Sequence, residues 1–355
     1  MNSLKKTLLI LFGGKSGEYE VSLRSACAVI EAANRDHYHL GLLGITKDGA
    51  WYVYDGASDR IADGSWCEDT AHLAPATIGC DPVRGLLVLR DGAYEQIHID
   101  VAFPVIHGQY GEDGRIQGLF ECAGIPMVGC KTLASAICMD KAVTKYILSH
   151  DGIPMARHYL VQDGVESVDA AVAAVTRKIG YPCFVKPANS GSSVGASKAE
   201  NADELRAALA LAAQTDSKIL IEEYVDAREV ELAVLECEGK LVVSRSGEID
   251  PGEQFYDYET KYVTDTARTY MPARITPECE RELRTLAGKI FRALGCCGLS
   301  RVDFFVTRED ERIVFNEINT MPGFTSISMY PKLFANEGLT FSRLIDILVT
   351  EAMRA

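Results

Sequence analysis

Residues 184–196 read Phe-Val-Lys-Pro-Ala-Asn-Ser-Gly-Ser-Ser-Val-Gly-Ala. A short apolar segment, typical of a buried strand, carries Lys186 into a loop of mostly small residues, with glycines at 191 and 195. Small residues let backbone N–H groups surround phosphate oxygens, and lysine supplies a compact positive charge. No Gly-Lys-Ser/Thr follows the glycines, so this is not a Walker A loop. The segment predicts another kind of phosphate-binding loop, with a flexible surface hairpin as the alternative.

Two apolar segments further along the chain each carry a pair of polar residues. Arg301 and Asp303 lie two residues apart in the first, and Glu317 and Asn319 in the second. Side chains at i and i+2 share one face of a strand, so neighbouring strands would gather these four groups. Carboxylate and amide oxygens suit Mg²⁺, which usually also takes phosphate oxygens and waters. A solvated polar sheet face is the alternative, and the surrounding Val, Ile and Phe residues disfavour it.

Three other segments give weaker signals. Residues 219–225 predict an extended segment whose backbone could meet an adenine, and Glu229 beyond it could bind ribose hydroxyls; a solvated strand end is the simpler explanation. His107 begins a glycine-rich turn after a predicted parallel strand, at the edge where open α/β sheets place ligands. A single histidine there is more often structural. The Gly13-Gly14 turn lacks the G-x-G-x-x-G pattern, which disfavours a dinucleotide-dependent dehydrogenase.

The spacing of apolar residues predicts an α/β fold. Residues 7–12 and 101–106 are apolar runs typical of buried parallel strands, with helical spacing from Val21 onwards. Residues 55–100 contain two short strand-like segments around an Asp-Gly pair, which predicts an antiparallel hairpin. Residues 132–150 predict one long helix that bridges the first domain to a smaller second one.

The composition excludes several classes of protein. The 355 residues suit two or three domains, and 47% hydrophobic with 24% charged residues suit folded cores rather than disorder. A net charge of −14, from 36 basic and 50 acidic residues, argues against a general nucleic-acid or membrane-surface binder. Eleven cysteines without a CxxC pair indicate reduced thiols. No apolar run approaches the ~18 residues of a membrane span, and no clean signal-cleavage site is present, so we expect a cytoplasmic protein.

Taken together and in order, seven motifs resemble the D-alanine–D-alanine ligases of the ATP-grasp superfamily. The resemblance runs from about residue 7 to the C-terminus. The motifs are Glu20-Val-Ser-Leu, His107-Gly with Gly111-Glu-Asp-Gly, Met139-Asp-Lys141, Lys186-Pro-Ala-Asn with Gly191-Ser-Ser-Val-Gly, Phe255-Tyr-Asp-Tyr-Glu-Thr-Lys261-Tyr262, Arg301-Val-Asp303, and Asn316-Glu-Ile-Asn-Thr-Met-Pro-Gly-Phe-Thr-Ser-Ile-Ser-Met329-Tyr-Pro.

The resemblance implies a three-domain ATP-grasp architecture whose first domain contains a Rossmann-like parallel sheet. The implied domains are residues 1–131, an α/β substrate domain; 132–222, a central ATP-grasp lobe; and 223–355, a second lobe with the metal site and a lid loop at 250–270. The implied activity is ATP-dependent ligation of two D-alanines through an acyl phosphate, for peptidoglycan precursors. ATP and two Mg²⁺ ions, with Mn²⁺ as a possible substitute, are the implied cofactors, and a homodimer is the implied assembly.

The resemblance also assigns site residues in four groups. Catalytic roles fall to Glu20, Ser192, Tyr262, Arg301 and Gly323. Contacts with ATP fall to Lys141, Lys186, Ser193, Glu222, Glu223, Val225, Glu229 and Lys261. Contacts with D-alanine fall to His107, Ser328 and Met329. The metal ligands are Asp303, Glu317 and Asn319.

Several of these assignments carry specific roles. By resemblance, Glu20 would anchor the ammonium of the first D-alanine, with His107 near its carboxylate, and Ser192 would link Glu20 to Tyr262 in the closed site. Lysines would hold the ATP phosphates. Arg301 and the Gly323 N–H would stabilise the oxyanion of the tetrahedral intermediate.

The second substrate leaves an alternative open. Ser328 would bind the carboxylate of the second D-alanine, and Met329 would form the wall of its methyl pocket. Relatives from vancomycin-resistant bacteria make D-alanyl-D-lactate or D-alanyl-D-serine instead. Tyr262 and Met329 resemble the dialanine type, whereas the N-terminal half also resembles the D-serine branch.

A second alternative, from another class, is a catalytically retired ATP-grasp module that only binds nucleotide. The complete set of charged site residues argues against it.

Overall fold

The computed structural model describes residues 5–80, 85–162, 164–191, 194–250, 252, 268–325 and 327–354. Four predicted site residues and most of the predicted lid loop at 250–270 lie outside these ranges. The four residues are Ser192, Ser193, Lys261 and Tyr262.

The N-terminal part of the chain forms a seven-stranded sheet with the order β6-β5-β4-β3-β2-β1-β7. Its strands are β1 (Lys6–Gly13), β2 (Tyr38–Ile45), β3 (Trp51–Tyr54), β4 (Leu73–Gly79), β5 (Gly85–Arg90), β6 (Ala93–His98) and β7 (Val101–Pro104). Strand β1 pairs in parallel with β2 and β7, which confirms the Rossmann-like core. Strands β3 to β6 extend the sheet in antiparallel fashion. The predicted hairpin is confirmed as β5–β6, and Asp91 and Gly92 turn it with positive φ angles of 50° and 78°.

The helices of this part are α1 (Tyr19–Ala32), α2 (Ser58–Ala62) and α3 (Arg115–Ala123). Helix α1 follows β1 directly and buries its apolar face, including Val21, Leu23 and Ala26. The strand–turn–helix connection therefore brings residues 14–18 to the carboxyl end of the parallel strands, beside the turn that starts at His107.

The prediction of one long helix over residues 132–150 is wrong. The structure has two helices, α4 (Thr132–Met139) and α5 (Lys141–His150). Asp140 between them adopts an extended conformation, with ψ at 97°, and its side chain accepts the N–H groups of Ala142 and Val143. Asp140 is thus an N-cap that starts a new helix, a local preference of aspartate that the apolar spacing alone does not reveal.

A four-stranded antiparallel sheet follows, with the order β10-β9-β11-β8. Its strands are β8 (His158–Gln162), β9 (Cys183–Pro187), β10 (Ser197–Ala199) and β11 (Lys218–Glu223). Helices α6 (Val168–Lys178) and α7 (Ala202–Ala212) pack on the sheet, and both present buried aliphatic residues at helical spacing. Strand β9 delivers Lys186 on the side of the sheet that faces away from this core.

The last part of the chain forms a six-stranded sheet with the order β15-β14-β12-β16-β17, and β13 pairs with β12. Its strands are β12 (Ala227–Cys237), β13 (Lys240–Val243), β14 (Gly247–Asp250), β15 (Arg268–Tyr270), β16 (Leu299–Thr307) and β17 (Ile313–Asn319). Helix α8 (Pro277–Ala293) packs on one face together with α5. Helices α9 (Met329–Asn336) and α10 (Phe341–Arg354) share a core with β1 and α1.

This shared core joins the first and last parts of the molecule through buried residues such as Phe12, Phe324 and Leu348. The domain boundaries at 131/132 and 222/223 stay a prediction. All eleven cysteines are free thiols. None of the helices in the described ranges is long and apolar enough to cross a membrane.

Candidate active site

A cavity of about 520 Å³ lies between the four-stranded and six-stranded sheets. Phenylalanines from both sheets line it, together with lysines and carboxylates. Its lining includes the predicted residues Lys141, Lys186, Glu222, Glu223, Val225, Glu229 and Glu317, as well as Phe184, Phe305, Phe315 and Asn316. The structure therefore brings together the described residues that the resemblance assigns to ATP.

A buried ion cluster forms one wall of this cavity. Lys186 Nζ lies 2.5 Å from Oε2 of Glu222 and donates to Oδ1 of Asn316 at 3.2 Å. Lys145 Nζ lies 2.7 Å from Oε1 of the same carboxylate, and its side chain is fully buried. Burial alone would raise the pKa of Glu222, but the two lysines lower it to about 2. Glu222 is thus an ionised bridge that fixes the position of the Lys186 ammonium.

Lys141 stands at the start of α5, directly after the Asp140 cap. Its Nζ donates to the backbone oxygen of Ser190 at 2.7 Å and lies 3.4 Å from Oε2 of Glu317. Lys141, Ser190 and Glu317 also line a second, smaller cavity of about 70 Å³, so the two cavities meet at these residues. A group that passes from one cavity to the other would pass beside the Lys141 ammonium.

Strands β16 and β17 present the predicted polar cluster at this junction. In the antiparallel register Asp303 lies opposite Glu317, and Arg301 lies opposite Asn319. Arg301 donates to both oxygens of Asp303, at 2.8 and 2.7 Å, and lies 3.0 Å from Glu231. Asn319 Nδ2 donates to Asp303 at 3.0 Å. The sequence prediction that these strands gather the four groups is confirmed.

The donor set of Asp303, Glu317 and Asn319 fits a divalent cation in part. Within the described ranges no group of three or more His, Cys, Asp or Glu side chains is arranged as a metal site. This set contains two carboxylates and one amide, and Mg²⁺ usually takes one or two carboxylates together with substrate phosphates. Asp303 is engaged by Arg301, so a cation there would share that carboxylate with the guanidinium.

The small cavity is lined by groups of both charges. Glu18, His107, Glu112, Arg301 and Gly323 all contribute to its lining. Burial, with Glu18 nearby, raises the pKa of Glu112 to about 8, although two backbone N–H donors act in the opposite direction. Burial lowers the pKa of His107. Glu112 is therefore largely uncharged near neutral pH, and Glu18 is the carboxylate that favours a positively charged group of a ligand in this small space.

The structure does not bring Glu20 into this site. Glu20 lies in the first turn of α1 with its side chain exposed, and it pairs with Lys47 at 2.5 Å. Glu18, just before the helix, lines the small cavity instead. Its backbone N–H is held by Ser16, whose hydroxyl donates to the His107 carbonyl at 2.7 Å. A Cβ on Gly191 would approach Glu18 Oε1 to 2.5 Å, so the loop passes close to this carboxylate.

The segment after β17 supplies Gly323 and Ser328. Gly323 lines the small cavity, and a Cβ there would approach Oγ of Ser328 to 2.6 Å. The Ser328 hydroxyl is in turn 2.7 Å from that of Thr325. Met329 is buried in the core shared with β1 and is not among the described residues that line the two cavities, and its role at a methyl pocket stays a prediction.

At the far end of the large cavity, Glu223 joins the two sheets. Its carboxylate accepts from Nε of Arg157 at 2.7 Å and lies 3.7 Å from Arg312, which is in the turn before β17 of the six-stranded sheet. Val225 and Glu229 line the same end of the cavity. The segment 219–225 therefore leads from β11 of the four-stranded sheet toward β12 of the six-stranded sheet.

Three residues at these cavities have no assigned role in the sequence predictions, namely Glu18, Glu112 and Lys145. Glu18 lies two residues before the chosen Glu20, and its position before the helix start is a signal for a site facing the strand ends. Lys145 lies four residues after Lys141, which puts both lysines on one face of a helix.

Two sheets that close on a cavity, with lysines from separate elements at one end, define an ATP-grasp enzyme. The family model described as "D-ala D-ala ligase N-terminus" matches residues 7–130, and "D-ala D-ala ligase C-terminus" matches residues 147–350. The chain belongs to the D-alanine–D-alanine ligase family. This confirms the family and the fold that the motifs indicate.

Individual relatives match over nearly the whole chain. A D-alanine–D-alanine ligase of Acetivibrio thermocellus is 46% identical, over 99% of this chain and 96% of its own length. The solved VanG D-Ala:D-Ser ligase of Enterococcus faecalis has a TM-score of 0.90 at 42% identity. The match covers 98% of this chain and 100% of that one. A D-alanine-D-alanine ligase from Coxiella burnetii has a TM-score of 0.86 at 28% identity, covering 99% of this chain and 95% of that one.

Proposed function

We propose that this enzyme joins two D-alanines in an ATP-dependent reaction that releases ADP and phosphate. The observation that carries the proposal is the meeting of the two cavities at Lys141 and Glu317. The large one has the volume and the apolar walls for a nucleotide, and the small one suits an amino acid. A γ-phosphoryl group at the junction would lie next to an amino-acid carboxylate.

The large cavity would hold ATP with its adenine between the phenylalanines and its phosphates toward the lysines. Lys186, fixed by Glu222, and Lys141, fixed by Ser190, would neutralise the phosphates. Val225 and Glu223 would provide adenine contacts, and Glu229 would bind the ribose. Ser193 and Lys261 are proposed phosphate contacts on the basis of the resemblance alone.

The small cavity would hold the first D-alanine. Glu18 would anchor its ammonium, a role that the resemblance gave to Glu20. The D-alanine carboxylate would then point toward Lys141 and accept the γ-phosphoryl group, which gives an acyl phosphate. Positioning and charge stabilisation supply most of the rate enhancement in such a transfer.

The second D-alanine would attack the acyl phosphate with its amine, and phosphate would leave from the tetrahedral intermediate. Arg301 and Gly323 line the small cavity, and the guanidinium and the Gly323 N–H would stabilise the oxyanion. Asp303, Glu317 and Asn319 would hold Mg²⁺, which would neutralise charge on the phosphates. Ser328 would bind the carboxylate of the second substrate, and the Ser192–Tyr262 pair would help to close the site.

The test is a product assay with D-Ala, ATP and Mg²⁺, read by chromatography and by phosphate release with and without D-Ala. Stoichiometric D-alanyl-D-alanine and phosphate are expected. Phosphate release that does not depend on D-Ala would instead indicate a nucleotide-binding module. By family, we further propose a cytoplasmic homodimer that supplies peptidoglycan precursors.

A second candidate product is D-alanyl-D-serine. The observation that favours it is the TM-score of 0.90 to the D-Ala:D-Ser ligase, at 42% identity. Adding D-Ser at the same concentration as D-Ala decides between the two, because the dialanine proposal expects D-alanyl-D-alanine as the main product.

A further inference from the structure

Three side chains from the N-terminal part hold the segment 321–324 of the last part. Glu112 accepts the Met321 N–H at 3.1 Å, and His107 Nδ1 lies 3.0 Å from the Met321 carbonyl oxygen. Ser25 Oγ accepts the Phe324 N–H at 3.2 Å. Both polar backbone groups of Met321 are thus bound from across the interface. We call Ser25, His107 and Glu112 the clasp.

The roles of donor and acceptor in the clasp follow from its fixed members. A backbone carbonyl only accepts, so His107 must carry its proton on Nδ1 to bind Met321. The neutral ring then offers Nε2 as an acceptor, and Ser25 Oγ lies 3.0 Å from it. The Ser25 hydroxyl therefore donates to Nε2 while its oxygen accepts from Phe324. One directed chain of hydrogen bonds runs from the Phe324 N–H through Ser25 and His107 to Met321.

This arrangement leaves His107 no ring nitrogen for a substrate. Ser25 is completely buried, and His107, which contributes to the wall of the small cavity, is only 2% exposed. Between the two held residues lies Gly323, whose N–H faces the small cavity in the proposed reaction. An oxyanion donor acts through exact placement, and misplacement by about 1 Å can cost about 10²-fold in rate.

We propose that Ser25 is a positioning residue of the ligation reaction, and that His107 serves with it to place the Gly323 N–H rather than to bind D-alanine. The expected effect on catalysis rests on the proposed function. The clasp itself can be tested without any turnover.

Ser25→Ala removes the hydroxyl in the middle of this hydrogen-bond chain and leaves the Phe324 N–H without its acceptor. The matched control is Ser22→Ala on the same helix. Ser22 is also completely buried, and it links Gly13 to Val105 without contact with the 321–324 segment. Both variants lose one buried hydroxyl, so a purely structural effect should be similar in the two.

We expect Ser25→Ala to lower kcat about 10-fold or more, with KM for ATP within about 2-fold of wild type, whereas Ser22→Ala keeps kcat. His107→Asn, which retains a donor near the Nδ1 position, should lose less kcat than His107→Ala. Equal kcat in Ser25→Ala and wild type, or equal losses in the two serine variants, would overturn the proposal. A large rise in KM for D-Ala with unchanged kcat in His107→Ala would show that His107 binds D-alanine and does not position Gly323.

Amide hydrogen exchange of the 319–325 segment gives the independent readout. Exchange there should be about 10-fold faster in Ser25→Ala than in wild type, with no such change in Ser22→Ala. If wild type fails to ligate D-Ala, the proposed function falls, and the exchange result still decides whether the clasp exists. If exchange in Ser25→Ala is the same as in wild type, the clasp does not hold this segment, even if the enzyme is an active ligase.

Discussion

Lys186 Nζ lies 2.5 Å from Oε2 of Glu222, inside a wall where both side chains are buried. The other oxygen of this carboxylate is taken by Lys145. A single glutamate therefore compensates two buried lysines, and one of these is the proposed phosphate ligand. The position of Lys186 depends on a charge balance that three different secondary-structure elements contribute to.

Glu222→Gln should destabilise the protein by about 3–5 kcal/mol, because it removes the ion-pair partner of two buried ammonium groups. Glu223→Gln is the matched control. Its ion pair with Arg157 is largely exposed on the arginine side, so its loss should cost at most about 1 kcal/mol. Urea unfolding measures both. Similar midpoints for the two variants would contradict the charge-balance argument.

The difference in unfolding free energy between wild type and Glu222→Gln should depend on pH, because the pKa of Glu222 is lowered. It shifts from 4.5 to about 2, since the effect of the two lysines outweighs that of burial. The folded-state value is the lower one, so the ionised carboxylate stabilises fully above about pH 4.5 and progressively less as the pH falls toward about 2. The gap in unfolding free energy between wild type and Glu222→Gln should be constant near neutral pH and shrink below about pH 4.5. A gap that stays constant in acid would argue against an ionised bridge.

Glu18→Gln should raise KM for D-Ala about 10-fold or more, because a buried ammonium would lose its counter-charge. Glu20→Gln should leave KM within about 2-fold, since Glu20 is exposed and pairs with exposed Lys47. Steady-state kinetics at saturating ATP distinguish them. The reverse order of effects would restore the role that the resemblance gave to Glu20.

Glu317→Gln should abolish turnover and keep the fold. The substitution removes one negative charge from the junction of the two cavities, where metal and γ-phosphate are proposed to meet. Glu309→Gln, on the exposed turn between β16 and β17, is the control and should stay active. Circular dichroism checks the fold, and titration with Mg²⁺ checks affinity. Near-normal ligation at low Mg²⁺ would show that Glu317 is not a ligand.

The sequence predicts strands well where apolar runs carry polar residues at fixed spacing. The cluster on β16 and β17 follows from i, i+2 spacing, because that geometry is a property of any strand. The register that sets Asp303 opposite Glu317 also needs the turn between them, and it emerges only from the paired strands. Ordered motifs then identify the family, which no single motif does.

Sequence patterns do not predict the placement of a side chain where contacts between distant segments determine it. Glu18 and Glu20 differ by two positions, and only the helix start at Tyr19 turns one toward the cavity and the other outward. The chain separation of Ser25 and Phe324 likewise hides their hydrogen bond from any local pattern. The Asp140 cap between α4 and α5 is a local feature, but it competes with apolar spacing that continues on both sides.

Met329 gives the last prediction, because its side chain is buried in the core and does not line either of the two described cavities. It is 6% exposed, and its Cε comes so close to Gly247 that a Cβ there would approach to 2.3 Å. Met329→Arg would bury an unpaired charge in this core and should cost several kcal/mol, about 3 or more, whereas Met329→Leu should cost less than about 1.5 kcal/mol. The ratio of D-alanyl-D-alanine to D-alanyl-D-serine, at equal D-Ala and D-Ser, should stay within about 2-fold of wild type in Met329→Leu. Thermal unfolding and product chromatography measure the two effects. A stable Met329→Arg protein with an altered product ratio would place this side chain at the second substrate after all.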